Sequence, residues 1–114
     1  MKVYLDNCCL QRPLDDKRQV RVQLEAEAVL AILTLYEAQK ISLVSSEVLE
    51  FELAQNPDQQ RKVYVEQILY GAALKVVVND AIASRAKELE ARGFRGMDAV
   101  HLACAEAANV DYFC

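Results

Sequence analysis

Asp6 closes a short apolar stretch, Val3-Tyr4-Leu5, and Asp98 opens a late helical one, Gly96-Met97-Asp98-Ala99-Val100-His101-Leu102-Ala103. Between them a helix start carries Glu50 and Glu52. Acids at strand and helix ends can gather on one rim of a parallel sheet. Oxygen ligands of that kind hold Mg²⁺ or Mn²⁺, and those ions serve phosphoryl transfer.

Each of these residues also has a plainer reading. Asp6 can be a turn former, because Asp-Asn pairs favour turns. Glu50 and Glu52 point about 200° apart on a helix. One of them is therefore expected in solvent, and Glu52 is the one assigned inward. Asp98 can simply complement a helix dipole, which does not exclude a ligand role. His101 lies one helical turn from Asp98 on the same face. No partner set of nitrogen or sulfur donors accompanies it, so it is read as a structural support. Asn7 either bonds the site or only shapes the turn. Arg12, Lys17, Arg18 and Arg21 form a basic cluster near the first loop, and Arg92 and Arg95 form a second. Either is a solvated surface or a phosphate contact for RNA, with Arg12, Arg18 and Arg95 as the named contacts.

The elements that must position these residues alternate. Val3-Tyr4-Leu5 predicts a buried strand. Val22, Ala26, Val29, Leu30, Leu33 and Tyr36 recur at helical spacing, which predicts an amphipathic helix over 18–39. A strand is expected over 41–45, followed by a helix capped by Ser45 or Ser46 and stopping near Asn56-Pro57. Pro57 is expected to open the next helix as its first residue, with Asp58 in the first turn, and that helix reaches Gly71. A strand over 74–78, a helix capped by Asn79 or Asp80 and ending at Gly93, and a helix over 98–109 follow. Tyr112-Phe113-Cys114 begins one more strand. The alternation predicts an α/β fold of three α/β/α layers around a central, mainly parallel sheet, as a single domain over 1–114. In such sheets, sites form beyond the carboxyl ends of the strands. The last strand reads as cut where it starts, so a missing final strand and following segment are expected.

Bulk properties agree with a folded chain. The 114 residues are 54% hydrophobic and 26% charged, which excludes a disordered composition. The net charge of -4 gives no global basic footprint. No uncharged run is long enough to span a bilayer. Cys8, Cys9, Cys104 and Cys114 suit neither a simple disulfide framework nor a metal knuckle, so reduced thiols in a cytoplasmic protein are expected.

The chain resembles the PIN-domain family, the ribonuclease fold of toxins of the VapC type. The resemblance covers essentially the whole chain. It is carried by Val3-Tyr4-Leu5-Asp6-Asn7, by Ser45-Ser46 with Glu50 and Glu52 following, and above all by Gly96-Met97-Asp98-Ala99-Val100-His101-Leu102-Ala103-Cys104-Ala105. It implies a metal-dependent endoribonuclease that hydrolyses RNA phosphodiesters through carboxylate-bound Mg²⁺ or Mn²⁺. Asp6, Glu52 and Asp98 are the implied ligands and catalytic acids, with Glu50 as the alternative to Glu52. Asn7, Ser46 and His101 are supports. The family's fourth, more variable acid follows the strand that begins here at Tyr112, and Asp111 does not take its place. The implied partners are a small antitoxin protein and a second copy of the chain as a homodimer, without a membrane. The alternative is a catalytically incomplete PIN-like module that binds RNA or protein.

Overall fold

The computed structural model describes residues 1–114. Four strands form one parallel sheet in the order β3-β2-β1-β4. They are β1 (Lys2–Tyr4), β2 (Ser42–Ser46), β3 (Leu74–Val76) and β4 (Tyr112–Phe113). Val3 stands opposite Leu43 on one side and Tyr112 on the other, so β1 is an interior strand. Side chains alternate across a strand, and this divides the interior in two. Val3, Leu5 and Leu43 face a core with α1 (Asn7–Gln11), α2 (Val20–Glu37) and α4 (Gln59–Tyr70). Tyr4, Val44 and Val76 face a core with α3 (Glu47–Ala54), α5 (Asp80–Ala91) and α6 (Gly96–Ala107). Helices thus cover both faces of the sheet, giving the expected α/β/α layers.

Helix α2 buries Val22, Ala26, Val29 and Leu33, the stripe its spacing predicts. Leu30, expected in that stripe, is exposed. Ser46 caps α3 by accepting from the Leu49 N–H at 3.1 Å. Pro57 does not open α4. Asp58 is its cap and accepts from the N–H groups of Gln60 and Arg61, so the carboxylate satisfies donors that a proline start would leave open. Asn79 caps α5 through the Ile82 N–H at 2.9 Å. Helix α6 starts two residues before the expected Asp98 and stops two before Asn109.

One further expectation needs correction. Cys9 is bonded to Cys114 across a separation of 105 residues, with the Cα atoms 6.4 Å apart. Only Cys8 and Cys104 are free thiols. The pairing of β4 with β1 extends through Cys114: its N–H donates to the Tyr4 carbonyl at 2.9 Å, and the Asp6 N–H donates to its carbonyl at 2.8 Å. No helix is long and apolar enough to cross a membrane.

Candidate active site

Beyond the carboxyl ends of β1 and β2 the chain turns into helices, and the acids sit at those turns. Asp6 follows β1 as the cap of α1 and accepts from the Cys9 N–H at 2.9 Å. Glu52 comes from the second turn of α3 and is half-buried. Asp98, in the first turn of α6, is exposed. Glu50 points elsewhere: it forms an ion pair with Lys75 at 2.8 Å on the surface. The large angle between positions 50 and 52 on a helix explains why only one of them reaches the rim.

A hydrogen-bonded chain runs through the buried layer behind the acids. The Glu52 Oε1 atom meets His101 Nε2 at 2.5 Å and accepts from Asn7 Nδ2 at 3.2 Å. The other ring nitrogen of His101, Nδ1, lies 2.7 Å from the Tyr4 hydroxyl. That hydroxyl lies 2.8 Å from Ser46 Oγ. His101 is 3% exposed and Tyr4 0% exposed, so the contacts of Tyr4 with His101 and Ser46 are shut off from bulk water, while Glu52 and Asn7 reach the partly open rim. Burial, the largest cause, pushes the Tyr4 phenol well above its ordinary range, and the hydrogen bond from Ser46 opposes the rise. Sequence reasoning missed Tyr4. The available signal was that a tyrosine on a buried strand needs a partner for its hydroxyl.

Partial desolvation pushes the Cys8 thiol up, the charges of Asp6, Glu52 and Asp98 add to the rise, and Arg12 opposes it. Beside them, Asn7 Oδ1 is buried with no hydrogen-bond partner. The amide orientation is set by its nitrogen, which faces Glu52 Oε1 and the Leu49 carbonyl at 3.4 Å. All-oxygen donors with an orphaned amide oxygen suit a hard divalent cation in chemistry. Their placement is not a finished cage: no group of three or more His, Cys, Asp or Glu side chains is arranged to hold a metal ion. Glu52 Oε1 is instead engaged by His101 and Asn7.

The suggested RNA contacts are mostly committed to acids. Arg12 pairs with Asp15 at 3.1 Å and Glu25 at 3.0 Å, and Arg18 pairs with Asp16 at 2.7 Å. Arg95 is exposed at the start of α6, near Asp98 in sequence.

No protein-family model and no curated protein matches the chain. Solved structures do. The chain is similar to FitAcB from Neisseria gonorrhoeae, at 18% identity and a TM-score of 0.56, covering 96% of this chain and 84% of that one. It is also similar to VapBC2 from Rickettsia felis bound to a DNA fragment from their promoter, at 14% identity and a TM-score of 0.54, covering 98% of this chain and 85% of that one. The chain shares their fold.

Proposed function

We propose that this protein is an RNA-cleaving nuclease of the toxin type, with Asp6, Glu52 and Asp98 holding Mg²⁺ or Mn²⁺. The likeness of the fold to FitAcB and VapBC2 supports this reading beside the sequence resemblance to toxins of the VapC type. The observation that carries the reading is the tie of Glu52 to both flanking elements: Asn7, next to Asp6, and His101, one turn from Asp98, each hold its Oε1 atom. When bound, the cation supplies Lewis-acid activation of water and neutralises charge developing on the phosphodiester. His101 and Asn7 hold one oxygen of Glu52, which fixes the direction in which that carboxylate faces the rim. Arg95 at the start of α6 offers a cation to the RNA backbone, and Arg12 and Arg18 do so only by loosening their acid partners.

The reading brings a small antitoxin and a second copy of the chain as partners. Exposed Leu24, Leu30 and Leu35 on α2 give them apolar surface. It also places the protein in the cytoplasm, where the Cys9–Cys114 bond would face reduction.

A second reading has its own support. The missing three-donor group favours a PIN-like module that binds RNA or protein without cleaving. The test is RNA cleavage in Mg²⁺ or Mn²⁺ by purified parent and Asp98→Asn, with cation binding measured by calorimetry. The nuclease reading expects cleavage and cation binding by the parent, and neither by the variant. Equal rates for the two proteins would overturn the assignment. Absent cleavage together with absent cation binding leaves the binding module.

A further inference from the structure

The rim's buried hydrogen-bond chain has a definite direction. As a carboxylate, Glu52 only accepts. The His101 nitrogen that faces it, Nε2, must therefore carry the hydrogen. In a neutral imidazole Nδ1 then holds the lone pair and accepts from the Tyr4 hydroxyl at 2.7 Å. The Tyr4 oxygen is left to accept from Ser46 at 2.8 Å. Ser46 Oγ in turn accepts from the Leu49 N–H at 3.1 Å. Every hydrogen from Leu49 to Glu52 has one place to go.

We infer that Tyr4 is a positioning residue: with Glu52 selecting the Nε2–H tautomer, the Tyr4 hydroxyl holds the opposite ring nitrogen, Nδ1, and so fixes the orientation in which His101 aims the Glu52 carboxylate at the rim. Several observations support this beyond the hydrogen bond. The Tyr4 ring is held on two sides, edge-on to His101 at a centroid distance of 5.8 Å and stacked on Phe113 at 5.5 Å. The hydroxyl therefore has a fixed position rather than a rotating one. A phenol is ordinarily protonated up to about pH 10, so the hydroxyl is available as a donor. Phenylalanine would fill the same volume, so packing alone does not require the oxygen at position 4. A partner that fixes the tautomer and orientation of a site histidine commonly matters nearly as much as the groups it supports. Only the effect on cleavage rests on the proposed nuclease; the tautomer does not.

The chain has one histidine, so long-range proton–nitrogen spectra report a single ring without assignment. The experiment uses ¹⁵N-labelled parent, Tyr4→Phe and Ser46→Ala at pH about 8, above the ordinary histidine range. In the parent, Nε2 should be protonated and Nδ1 bare. Tyr4→Phe should keep Nε2–H, which Glu52 requires, but its Nδ1 resonance should move because the accepted hydrogen bond is lost. Ser46→Ala should keep the parent's Nδ1 resonance, because Tyr4 can still donate to Nδ1. In the cleavage assay, Tyr4→Phe should lower kcat about 10- to 100-fold with KM for RNA unchanged, since Tyr4 touches no substrate. A parent ring protonated on Nδ1 overturns the inference, whether or not the variants fold. So does Tyr4→Phe with the parent's Nδ1 resonance, or Ser46→Ala with the shifted one. A fixed Nε2–H tautomer in a chain that cleaves no RNA would sink the nuclease reading and leave the role of Tyr4 standing.

Discussion

Two polar networks tie this molecule together, and they are built on opposite principles. At the rim, Tyr4, Ser46, His101, Glu52 and Asn7 form a network set largely in the buried layer, with few members and one direction. On the other side of the sheet, Arg61 meets Asp15 at 2.7 Å, Asp15 meets Arg12 at 3.1 Å, and Arg12 meets Glu25 at 3.0 Å. This second network joins the turn after α1 to α2 and α4, and its side chains are 26–43% exposed. It has more charges and shorter loops to close. Yet solvent screening makes each of its pairs worth little, whereas the rim's groups cannot turn to water if a partner is lost. Burial, not charge count, separates the candidate site from the network that only fastens elements.

The largest expected effect comes from the covalent fastening of the rim. Cys9 lies in α1 beside Asp6, and its bond to Cys114 closes a loop of 105 residues. Loop entropy alone makes such a bond worth about 4–5 kcal/mol. Urea melts with and without reductant should show a loss of that order, and Cys9→Ser should match the reduced parent. Hydrogen exchange of the Asp6 and Cys114 amides should rise before any amide near Arg61. Identical melts would mean that the two sulfurs are not joined in solution.

Next in size is Glu52→Ala. It leaves the His101 N–H and the Asn7 amide without their acceptor, at a cost of about 1–3 kcal/mol. Arg61→Ala should cost less, under about 1 kcal/mol. The two should also separate by salt. Raising the ionic strength to 1 M should erase most of the Arg61 effect and leave the Glu52 effect in place. Equal costs at both sites, or equal salt sensitivity, would remove the distinction between the networks.

The smallest effect belongs to a third, exposed pair. Arg85 grips both oxygens of Glu106, at 2.8 and 3.2 Å. Those hydrogen bonds hold the Glu106 carboxyl below its ordinary range. A lowered folded value means that its contribution is present above the ordinary glutamate range and is lost as pH falls through the folded value. Glu106→Gln should therefore be slightly less stable than the parent at neutral pH and converge with it as the pH falls through the folded value, which flattens the acid limb. An acid limb identical to the parent's would show that the pair contributes nothing.

The sequence carried the layers well because hydrophobic period and capping residues agreed, as with Val22, Ala26, Val29 and Leu33 in α2 and Asn79 at α5. It was weaker where two local signals competed. Pro57 and Asp58 both announce a helix start, and only the reach of the Asp58 carboxylate to two amides decided between them. Glu50 and Glu52 were separable by angle, but the partner that draws Glu50 outward, Lys75 on β3, is far away in sequence. The same distance hid the bond between Cys9 and Cys114 and the contact of Tyr4 with His101. Neighbours separated by about a hundred residues leave no mark on a local pattern.

The interior place of β1 has a consequence for how the chain comes together. Among the four strands β1 is made first, yet it pairs with β2 and with β4, the last to be made. All pairings are parallel, so each requires a long crossover before it can close. During synthesis Val3 and Tyr4 must wait with one ladder edge open until residues 112 and 113 arrive. Such non-local closure slows folding, and an open apolar edge invites pairing with other chains. The strand that anchors the rim is thus also the strand most in need of shelter while the protein is young.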